Sequence, residues 1–244
     1  MGRILSFLYG LVAYAVFLYS FLYAIGFVGN LIVPKSIDTG VPDTFLKALM
    51  VNAGLLLLFA VQHSVMARPG FKAWWIKFVP KPIERSTYVI LASMILIVMY
   101  KYWIPMPEIV WDLSGTILGT ILDILFWVGW VLVLLATFMV NHFELFGLQQ
   151  VFFHLRNKEI PPNKFTTRFL YQFVRHPIML GFLIAFWSAS VMTVGHLVFS
   201  LATTGYIIVG VLLEERDLLH YLGEEYQQYR KRVSMFIPMP QKKV

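Results

Sequence analysis

Polar residues interrupt the apolar C-terminal half of the chain, and their side chains could hold a charged small molecule. Arg175, His176 and Pro177 stand directly before an apolar run, and Gly181 follows four residues after the proline. Polar side chains and free N–H groups at the start of a helix favour an anion. For Arg175 alone, the plainer interpretation is the ordinary basic flank of a membrane segment.

Two further polar groups follow the last apolar run. The first is the acidic pair Glu214 and Glu215, and the second is the segment 221–230, which contains Tyr226 and Arg230. Carboxylates suit an ammonium group, whereas Arg and His suit a carboxylate. Taken together, these groups predict a polar pocket for a zwitterionic cofactor. The acidic pair alone is equally consistent with a charge cluster at the start of a helix.

Histidines near the ends of the N-terminal apolar runs are candidates for acid–base chemistry. His63 and His142 each follow an amide residue, and Glu144 lies two residues after His142. A lone histidine at the membrane rim more often makes a structural hydrogen bond. These three residues and His154 could also gather as metal ligands, but their spacing matches no metal-site signature. We therefore expect no metal.

The composition restricts the class of protein. Hydrophobic residues make up 59% of the 244 residues and charged residues 14%, whereas a soluble chain has about 25% charged residues. A globule of this size could not bury so much apolar surface. The net charge of +7 does not indicate nucleic-acid binding, because the cations lie in loops between apolar runs. The absence of cysteine excludes disulfides, thiolate metal sites and a thiol nucleophile of the protein itself.

We predict an all-α, polytopic membrane protein with about six membrane helices. A membrane-crossing helix needs about 20 apolar residues, and apolar runs of this or slightly shorter length occupy residues 7–33, 45–66, 87–104, 116–140, 177–193 and 197–213. The last two runs are separated only by residues 194–196, which predicts a tight helical hairpin. Residues 214–235 place Leu and Tyr on one face, which predicts an amphipathic C-terminal helix.

The basic residues predict the orientation of the chain. All but three of the Lys and Arg residues fall in the amino terminus, the 67–86 loop, the 141–176 segment and the tail after residue 213. The positive-inside rule places these segments in the cytoplasm. Both chain ends, the C-terminal helix and the polar residues described above then lie on the cytoplasmic side.

The C-terminal motifs resemble those of isoprenylcysteine carboxyl methyltransferases and their relatives. They are R-H-P with its glycine, E-E-R-D-L, G-x-x-Y-x-x-Y and V-x-x-F-I-P. The resemblance implies S-adenosylmethionine as cofactor, with Tyr171 added to the binding residues named above. It also implies that residues 165–238 form the cofactor-binding half of a single domain, 1–244. Met179 stands where the family often has tyrosine, which argues against a prenylated protein as acceptor.

The N-terminal half is similar to the nurim branch of the same superfamily. The segments Q-H-S-V-M-A-R-P from Gln62 and E-R-S-T-Y from Glu84 carry this similarity. N-H-F-E-L-F-G from Asn141 and M-T-V-G-H from Met192 resemble the bacterial methanethiol S-methyltransferases of that branch. The implied reaction converts methanethiol and S-adenosylmethionine into dimethyl sulfide and S-adenosylhomocysteine, and the implied location is a bacterial inner membrane.

A thiol acceptor would require ionisation, because the thiolate is the nucleophile. His63, His142 and Glu144 are the candidates for the base, and Arg85 could stabilise the thiolate. The expected partners are a small volatile thiol and membrane lipid. Neither nucleic acid nor an obligate protein partner is indicated.

Other functions remain open at this point. The same cofactor could serve another small thiol, sulfide, or a prenyl or lipid carboxylate. The chain could also be a non-catalytic, nurim-like structural protein of the membrane, although it retains the whole set of polar motifs. A transporter is a further alternative, but the sequence has no inverted repeat and no pair of broken helices.

Overall fold

The computed structural model describes residues 2–161, 167 and 169–237. The chain forms two compact units. The first unit comprises Met1–Glu108, Asn141–Asn163 and Thr193–His196. The second unit comprises Ile109–Val140, Lys164–Met192 and Leu197–Val244.

The described residues are mainly α-helical. In chain order the helices are α1 (Arg3–Gly29), α2 (Phe45–Ala67), α3 (Pro69–Trp75), α4 (Lys81–Tyr102), α5 (Ile117–Val140), α6 (His142–Leu145), α7 (Leu148–Leu155), α8 (Pro177–Trp187), α9 (Val194–Leu222) and α10 (Glu224–Arg232). A 3₁₀ turn at Phe169–Gln172 precedes α8. Two short strands, β1 (Ile109–Asp112) and β2 (Val191–Thr193), pair with each other.

Five of the described helices are long and apolar enough to cross a membrane, namely α1, α2, α4, α5 and α9. Many of their large apolar side chains are exposed. On α5, for example, Ile124 is 58% exposed and Val131 is 52% exposed. Contact with water would make such exposure unfavourable, whereas contact with lipid does not. The prediction of an all-α, polytopic membrane protein is therefore confirmed.

The segment predicted as the fifth crossing, residues 177–193, forms a shorter helix than expected. Helix α8 has 11 residues and ends at Trp187. Beyond it, Ser190 O accepts a hydrogen bond from Leu113 N at 2.8 Å. The backbone after α8 thus finds partners in a segment distant in sequence, and a hydrophobicity pattern does not reveal such pairing.

The structure also differs from the predicted hairpin turn at residues 194–196. These residues form the first turn of α9, because Thr193 Oγ1 accepts a hydrogen bond from His196 N at 3.1 Å. This is the bond of a helix N-cap. Gly195 N also donates to Met106 O at 3.0 Å, so the start of α9 is tied to the segment before β1.

The C-terminal region contains two helices where one was predicted over residues 214–235. Helix α9 runs on to Leu222, so the acidic pair lies inside a helix. The chain then turns at Gly223, whose φ of +58° is a conformation that glycine adopts without steric cost. The predicted apolar face is nevertheless formed, because side chains of both helices pack together: Leu218, Leu219, Leu222, Tyr226, Tyr229 and Val233.

In the first unit, α1 packs against α4 and α7, and α2 packs against α4. The buried polar side chain of Asn52 on α2 forms two hydrogen bonds in this packing. Asn52 Nδ2 donates to Ile104 O at 2.8 Å, and Asn52 Oδ1 accepts from Ile104 N at 2.9 Å. The amide thus satisfies the backbone just beyond α4, where an unpaired polar group would be costly.

In the second unit, α5 and α8 approach each other through glycines. A Cβ atom on Gly129 would lie 2.7 Å from Gly181 O and 2.6 Å from Ala185 N. A Cβ atom on Gly181 would lie 2.8 Å from Gly129 O. Small residues allow this close backbone approach, which is a common means of helix association in membranes.

We expect Gly129→Leu to destabilise the protein by about 1–3 kcal/mol, because a side chain there must push α5 away from α8. The measurement is thermal unfolding in detergent. Gly205→Leu on α9 is the matched control, since a Cβ atom there would meet no atom of another described segment within 4 Å. Equal unfolding temperatures for the two variants would contradict the close packing of α5 and α8.

Candidate active site

In the second unit, a buried carboxylate binds two of the cationic residues singled out in the sequence. Arg175 Nε donates to Glu215 Oε1 at 2.6 Å, and the two side chains are only 8% and 6% exposed. His176 Nε2 lies 3.1 Å from the same oxygen. Because an ionised carboxylate only accepts hydrogen bonds, His176 Nε2 is the donor. Glu215 is therefore the centre of this cluster.

The backbone around Arg175 is fixed by the segment after α10. Val174 pairs with Ser234 in a parallel bridge, and Arg175 N donates to Ser234 O at 2.9 Å. The Arg175 guanidinium also donates from Nη1 to Arg230 O at 3.2 Å and to Val233 O. Arg175 is thus engaged with protein groups on several sides, and it ties the two segments together.

The charged groups at the surface of this cluster are Glu214 and Arg230. Glu214 Oε2 lies 3.8 Å from His176 Nδ1, and its side chain is 51% exposed. Arg230 Nη1 lies 4.0 Å from Glu215 Oε2, and its side chain is 48% exposed. The buried Glu215 thus has one accessible carboxylate and one accessible guanidinium near it.

Tyrosines line the same cluster. Tyr229 Oη donates to Tyr171 O at 2.6 Å, and burial raises the pKa of the Tyr229 phenol to about 12. Burial is the main cause that raises the pKa of the Tyr171 phenol, and the nearby Glu214 carboxylate raises it further. Tyr226 is almost fully buried, and burial together with the Glu215 carboxylate raises its pKa. All three phenols therefore stay protonated at neutral pH.

Pro177 and Gly181 have positions that account for their residue types. Pro177 is the first residue of α8, where its missing N–H is harmless. Gly181 faces Gly129 in the α5–α8 contact, so the structure gives it a packing role. Pro238 and parts of the stretch at residues 165–168, which the cofactor motif was expected to include, lie outside the described residues.

All four residues predicted to act on the acceptor lie in the first unit. Tyr88 Oη lies 2.9 Å from His63 Nδ1 and 3.3 Å from His63 O. The Arg85 guanidinium carbon lies 4.9 Å from the centre of the Tyr88 ring, within the range of a cation–π contact. Arg85 Nε also donates to Leu145 O at 2.7 Å, which ties α4 to α6.

His142 occupies a similar setting on α6. Tyr14 Oη of α1 lies 2.8 Å from His142 Nε2, and the ring of Phe146 packs against the imidazole with 4.8 Å between centres. The His142 side chain is buried, and burial lowers its pKa below the ordinary value. The neutral imidazole, which can accept a proton, is therefore the form present at neutral pH.

Glu144 is held by the residue that begins its helix. Asn141 Oδ1 accepts a hydrogen bond from Glu144 N at 3.3 Å, and Asn141 Nδ2 donates to Glu144 Oε2 at 3.0 Å. The same amide nitrogen lies 2.5 Å from Gln149 Oε1. Because of these bonds the Glu144 carboxylate is oriented by Asn141, as in a capped helix end.

The aromatic residues connect the two histidine sites. Phe146 stacks on Phe17 of α1 with 3.7 Å between ring centres, and both pack against the cluster of Met66, Tyr88 and Val89. His63, Arg85, His142 and Glu144 thus belong to one continuous set of contacts within the first unit. Across residues 2–161, 167 and 169–237, no group of three or more His, Asp and Glu side chains is arranged to hold a metal ion.

The tyrosine partners of the histidines were not predicted from the sequence. Tyr88 lies within the E-R-S-T-Y segment, so its position in that motif was the available signal. Tyr14 lies in a run of aromatic residues on α1 and carried no signal of its own. Asn141 could have been recognised from its position before a short acidic helix.

The amino-acid sequence is similar to one protein family and to several named proteins. The family described as NnrU protein matches residues 51–238. Methanethiol S-methyltransferase 1 of Bradyrhizobium diazoefficiens is 55% identical, over 97% of this chain and 83% of that protein. Methanethiol S-methyltransferase of Mycobacterium tuberculosis is 52% identical, over 98% of both chains. Nurim of Sus scrofa is 30% identical, over 76% of this chain and 73% of that protein.

No solved structure matches the chain. The family match covers most of the sequence, and the half-identical relatives extend along nearly all of it. Both of those relatives are named as methyltransferases. The chain therefore belongs to the NnrU protein family.

Proposed function

We propose that this protein methylates methanethiol with S-adenosylmethionine, which yields dimethyl sulfide and S-adenosylhomocysteine. The observation that carries the proposal is the 52% identity, over 98% of both chains, with a protein named methanethiol S-methyltransferase. The reaction forms a carbon–sulfur bond to the acceptor, breaks one in the donor and releases the thiol proton. S-adenosylmethionine, when bound, supplies a methyl group on a positively charged sulfur.

We assign donor binding to the polar cluster of the second unit. The amino-acid end of the donor carries an ammonium and a carboxylate, and the cluster offers one accessible partner for each. Glu214 suits the ammonium, and Arg230 suits the carboxylate. Arg175 and Glu215 are bonded to each other and buried, so we assign them the task of holding His176, α8 and the C-terminal segment in place. Tyr171, Tyr226, Pro177 and Gly181 complete this binding region.

We assign acceptor activation to the first unit. A thiol must lose its proton to become a good nucleophile, and an unperturbed cysteine thiol has a pKa of about 8.5. A neutral histidine can take that proton, and His142 is kept neutral by burial. His63 is the second candidate base. Arg85 brings a positive charge within contact of Tyr88, which binds His63, so it favours a thiolate nearby.

The distribution of basic residues supports a cytoplasmic active site. Close relatives come from bacteria, and a bacterial inner membrane is the location that fits both observations. A single functional domain over residues 1–244 is part of the same proposal, with residues 165–238 as its donor-binding half.

The alternative function is that of a non-catalytic membrane protein like nurim. The observation in its favour is the 30% identity with nurim over 76% of the chain. The alternative predicts neither turnover nor donor binding. Another acceptor, such as sulfide or a larger thiol, predicts donor binding without dimethyl sulfide.

Purified protein in detergent should form dimethyl sulfide from methanethiol only when S-adenosylmethionine is present, and headspace gas chromatography measures the product. Sulfide in a parallel vial tests the next acceptor. Absence of dimethyl sulfide from the methanethiol vial, with folded protein that binds S-adenosylhomocysteine, would refute the assignment of methanethiol, and product in the sulfide vial would then identify sulfide as the acceptor. Absence of binding as well would favour the nurim-like alternative.

Glu214→Gln and Glu215→Gln should separate donor binding from stability. Glu215→Gln leaves the buried Arg175 without its counter-charge, so we expect a loss of about 3–5 kcal/mol in the free energy of unfolding. Glu214→Gln changes a half-exposed group, and its effect on unfolding should stay within about 0.5 kcal/mol.

Calorimetry with S-adenosylmethionine completes this comparison. Glu214→Gln should weaken binding about tenfold, since a charge-assisted hydrogen bond contributes about 1.5 kcal/mol or more. Unchanged affinity in the Glu214→Gln protein would contradict the role of this carboxylate.

Both His63→Ala and His142→Ala should leave donor binding unchanged. The variant that removes the catalytic base should lower turnover about 100-fold. The lowered pKa of His142 keeps its ring neutral at pH values where an ordinary histidine, with a pKa of about 6.5, is already charged. The acid limb of the turnover profile should therefore lie below about pH 6.5 if His142 is the base. Full turnover by both variants at every pH would exclude a histidine base.

A further inference from the structure

A groove in the first unit lies beside the His142–Glu144 turn and has a composition suited to a small apolar ligand. Phe7 and Leu11 of α1 form one wall, and the residues of the other wall are Phe143, Leu148, Phe152 and Phe153. The groove encloses about 460 Å³, which is within the usual range for a ligand site. Among the described residues, no charged side chain lines it.

The groove is open along one side and lies near the end of α1. Phe143 is 51% exposed, Phe152 is 45% exposed and Leu11 is 42% exposed. Leu11 lies eight residues after Arg3, which corresponds to about 12 Å along the helix. Arg3 Nη2 in turn donates to Asn157 Oδ1 just beyond α7, at 2.6 Å. The opening therefore lies within the part of α1 that is long and apolar enough to cross a membrane, where a solute dissolved in lipid can reach it.

Gln149 is the polar residue among the described residues of the lining, and its orientation follows from its neighbours. Asn141 Oδ1 accepts from Glu144 N, so Asn141 Nδ2 is the donor that faces Gln149. Because the Asn141 N–H₂ group donates, the atom of Gln149 that faces it must be an acceptor. The Gln149 oxygen therefore points toward Asn141. Within the described residues the Gln149 side chain makes no other hydrogen bond, so its amide N–H₂ remains for a ligand of the groove that Gln149 lines. A single donor in an apolar groove matches a small apolar molecule with one acceptor atom.

This pattern distinguishes a thiol from a lipid acyl chain. An acyl chain would fill the apolar walls but offers nothing to the Gln149 donor. The sulfur of a small thiol or thiolate can accept that hydrogen bond, and its methyl group can contact the phenylalanines. The groove also adjoins the candidate base, because the Phe143 ring packs edge-on against His142 with 5.5 Å between centres.

We propose that the groove between α1 and α7 binds the methanethiol acceptor, with Gln149 donating a hydrogen bond to its sulfur. The proposal rests on the proposed function for the identity of the thiol. A ligand of two non-hydrogen atoms cannot bind more tightly than the millimolar range. Access from lipid compensates for this low ceiling, because the acceptor arrives from the phase in which it is concentrated.

The first test fills the groove and compares the result with a matched position on the same helix. Leu11→Trp should raise the KM for methanethiol about tenfold, or about 1.4 kcal/mol, with the dissociation constant of S-adenosylhomocysteine unchanged. Leu8→Trp, at a comparably exposed leucine outside the groove, should leave both constants unchanged. Equal KM values in the two variants would overturn the proposal and leave the groove to lipid.

The second test changes the donor alone. Gln149→Glu has nearly the same shape and keeps an oxygen for Asn141, but it replaces the N–H₂ group with an acceptor. It should raise the KM for methanethiol, while the dissociation constant of S-adenosylhomocysteine stays unchanged. An unchanged KM would remove Gln149 from the site.

The third test does not depend on turnover. The chain has no cysteine, so Leu11→Cys and Leu8→Cys each introduce a single thiol that methyl methanethiosulfonate modifies, as mass spectrometry can follow. Dimethyl sulfide at about three times its dissociation constant should slow modification of Leu11→Cys about fourfold and leave Leu8→Cys unaffected. Equal protection of the two cysteines, or protection of neither, would overturn the assignment of the groove to the acceptor. Protection of Leu11→Cys, combined with no dimethyl sulfide formation by the unsubstituted protein, would refute the proposed reaction and retain the groove as a ligand site.

Discussion

The hydrocarbon of the membrane is the constraint on which the rest of this structure depends. No water is available there, so each backbone polar group must be bonded within the protein, and helices are the simplest way to achieve this. The same constraint determines where chemistry can occur. Ionisable groups are costly inside the hydrocarbon, and the candidate functional residues accordingly cluster near helix ends. His63 lies near the end of α2, Arg85 near the start of α4 and His176 just before α8.

Within the second unit, the buried carboxylate of Glu215 determines the arrangement of the polar residues. A buried charge must be paired, and Glu215 binds both Arg175 and His176. Arg175 then bonds to carbonyl groups at the end of α10 and just after it, so one ion pair connects α9, the start of α8 and the C-terminal segment. Adjacent residues consequently have different environments. Glu214 remains accessible to a ligand, while Glu215 is enclosed and serves to organise its neighbours.

Within the first unit, each candidate histidine is paired with a tyrosine from another helix. Tyr88 positions His63, and Tyr14 positions His142. The aromatic stack of Phe17 and Phe146 fills the space beside them. Orientation by a hydrogen-bonded partner is what a catalytic base requires, since the geometry of proton transfer must be set before its pKa matters. The same pairing also satisfies a buried polar ring, so it serves stability as well.

The sequence by itself determined the fold class, the approximate bounds of the long helices, and the candidate residues. Apolar runs of sufficient length leave few alternatives to membrane helices, which is why α1, α2, α4 and α5 were predicted. Composition alone could not reveal that α8 ends at Trp187, that Thr193 caps α9, or that Gly223 divides the C-terminal region. Each depends on a hydrogen bond or a backbone angle rather than on hydrophobicity. The tertiary structure also decided which members of a motif are accessible, because burial depends on neighbours that are distant in sequence. Glu214 and Glu215 are adjacent in the chain and equal in chemistry, and only the burial of Glu215 against Arg175 distinguishes their environments.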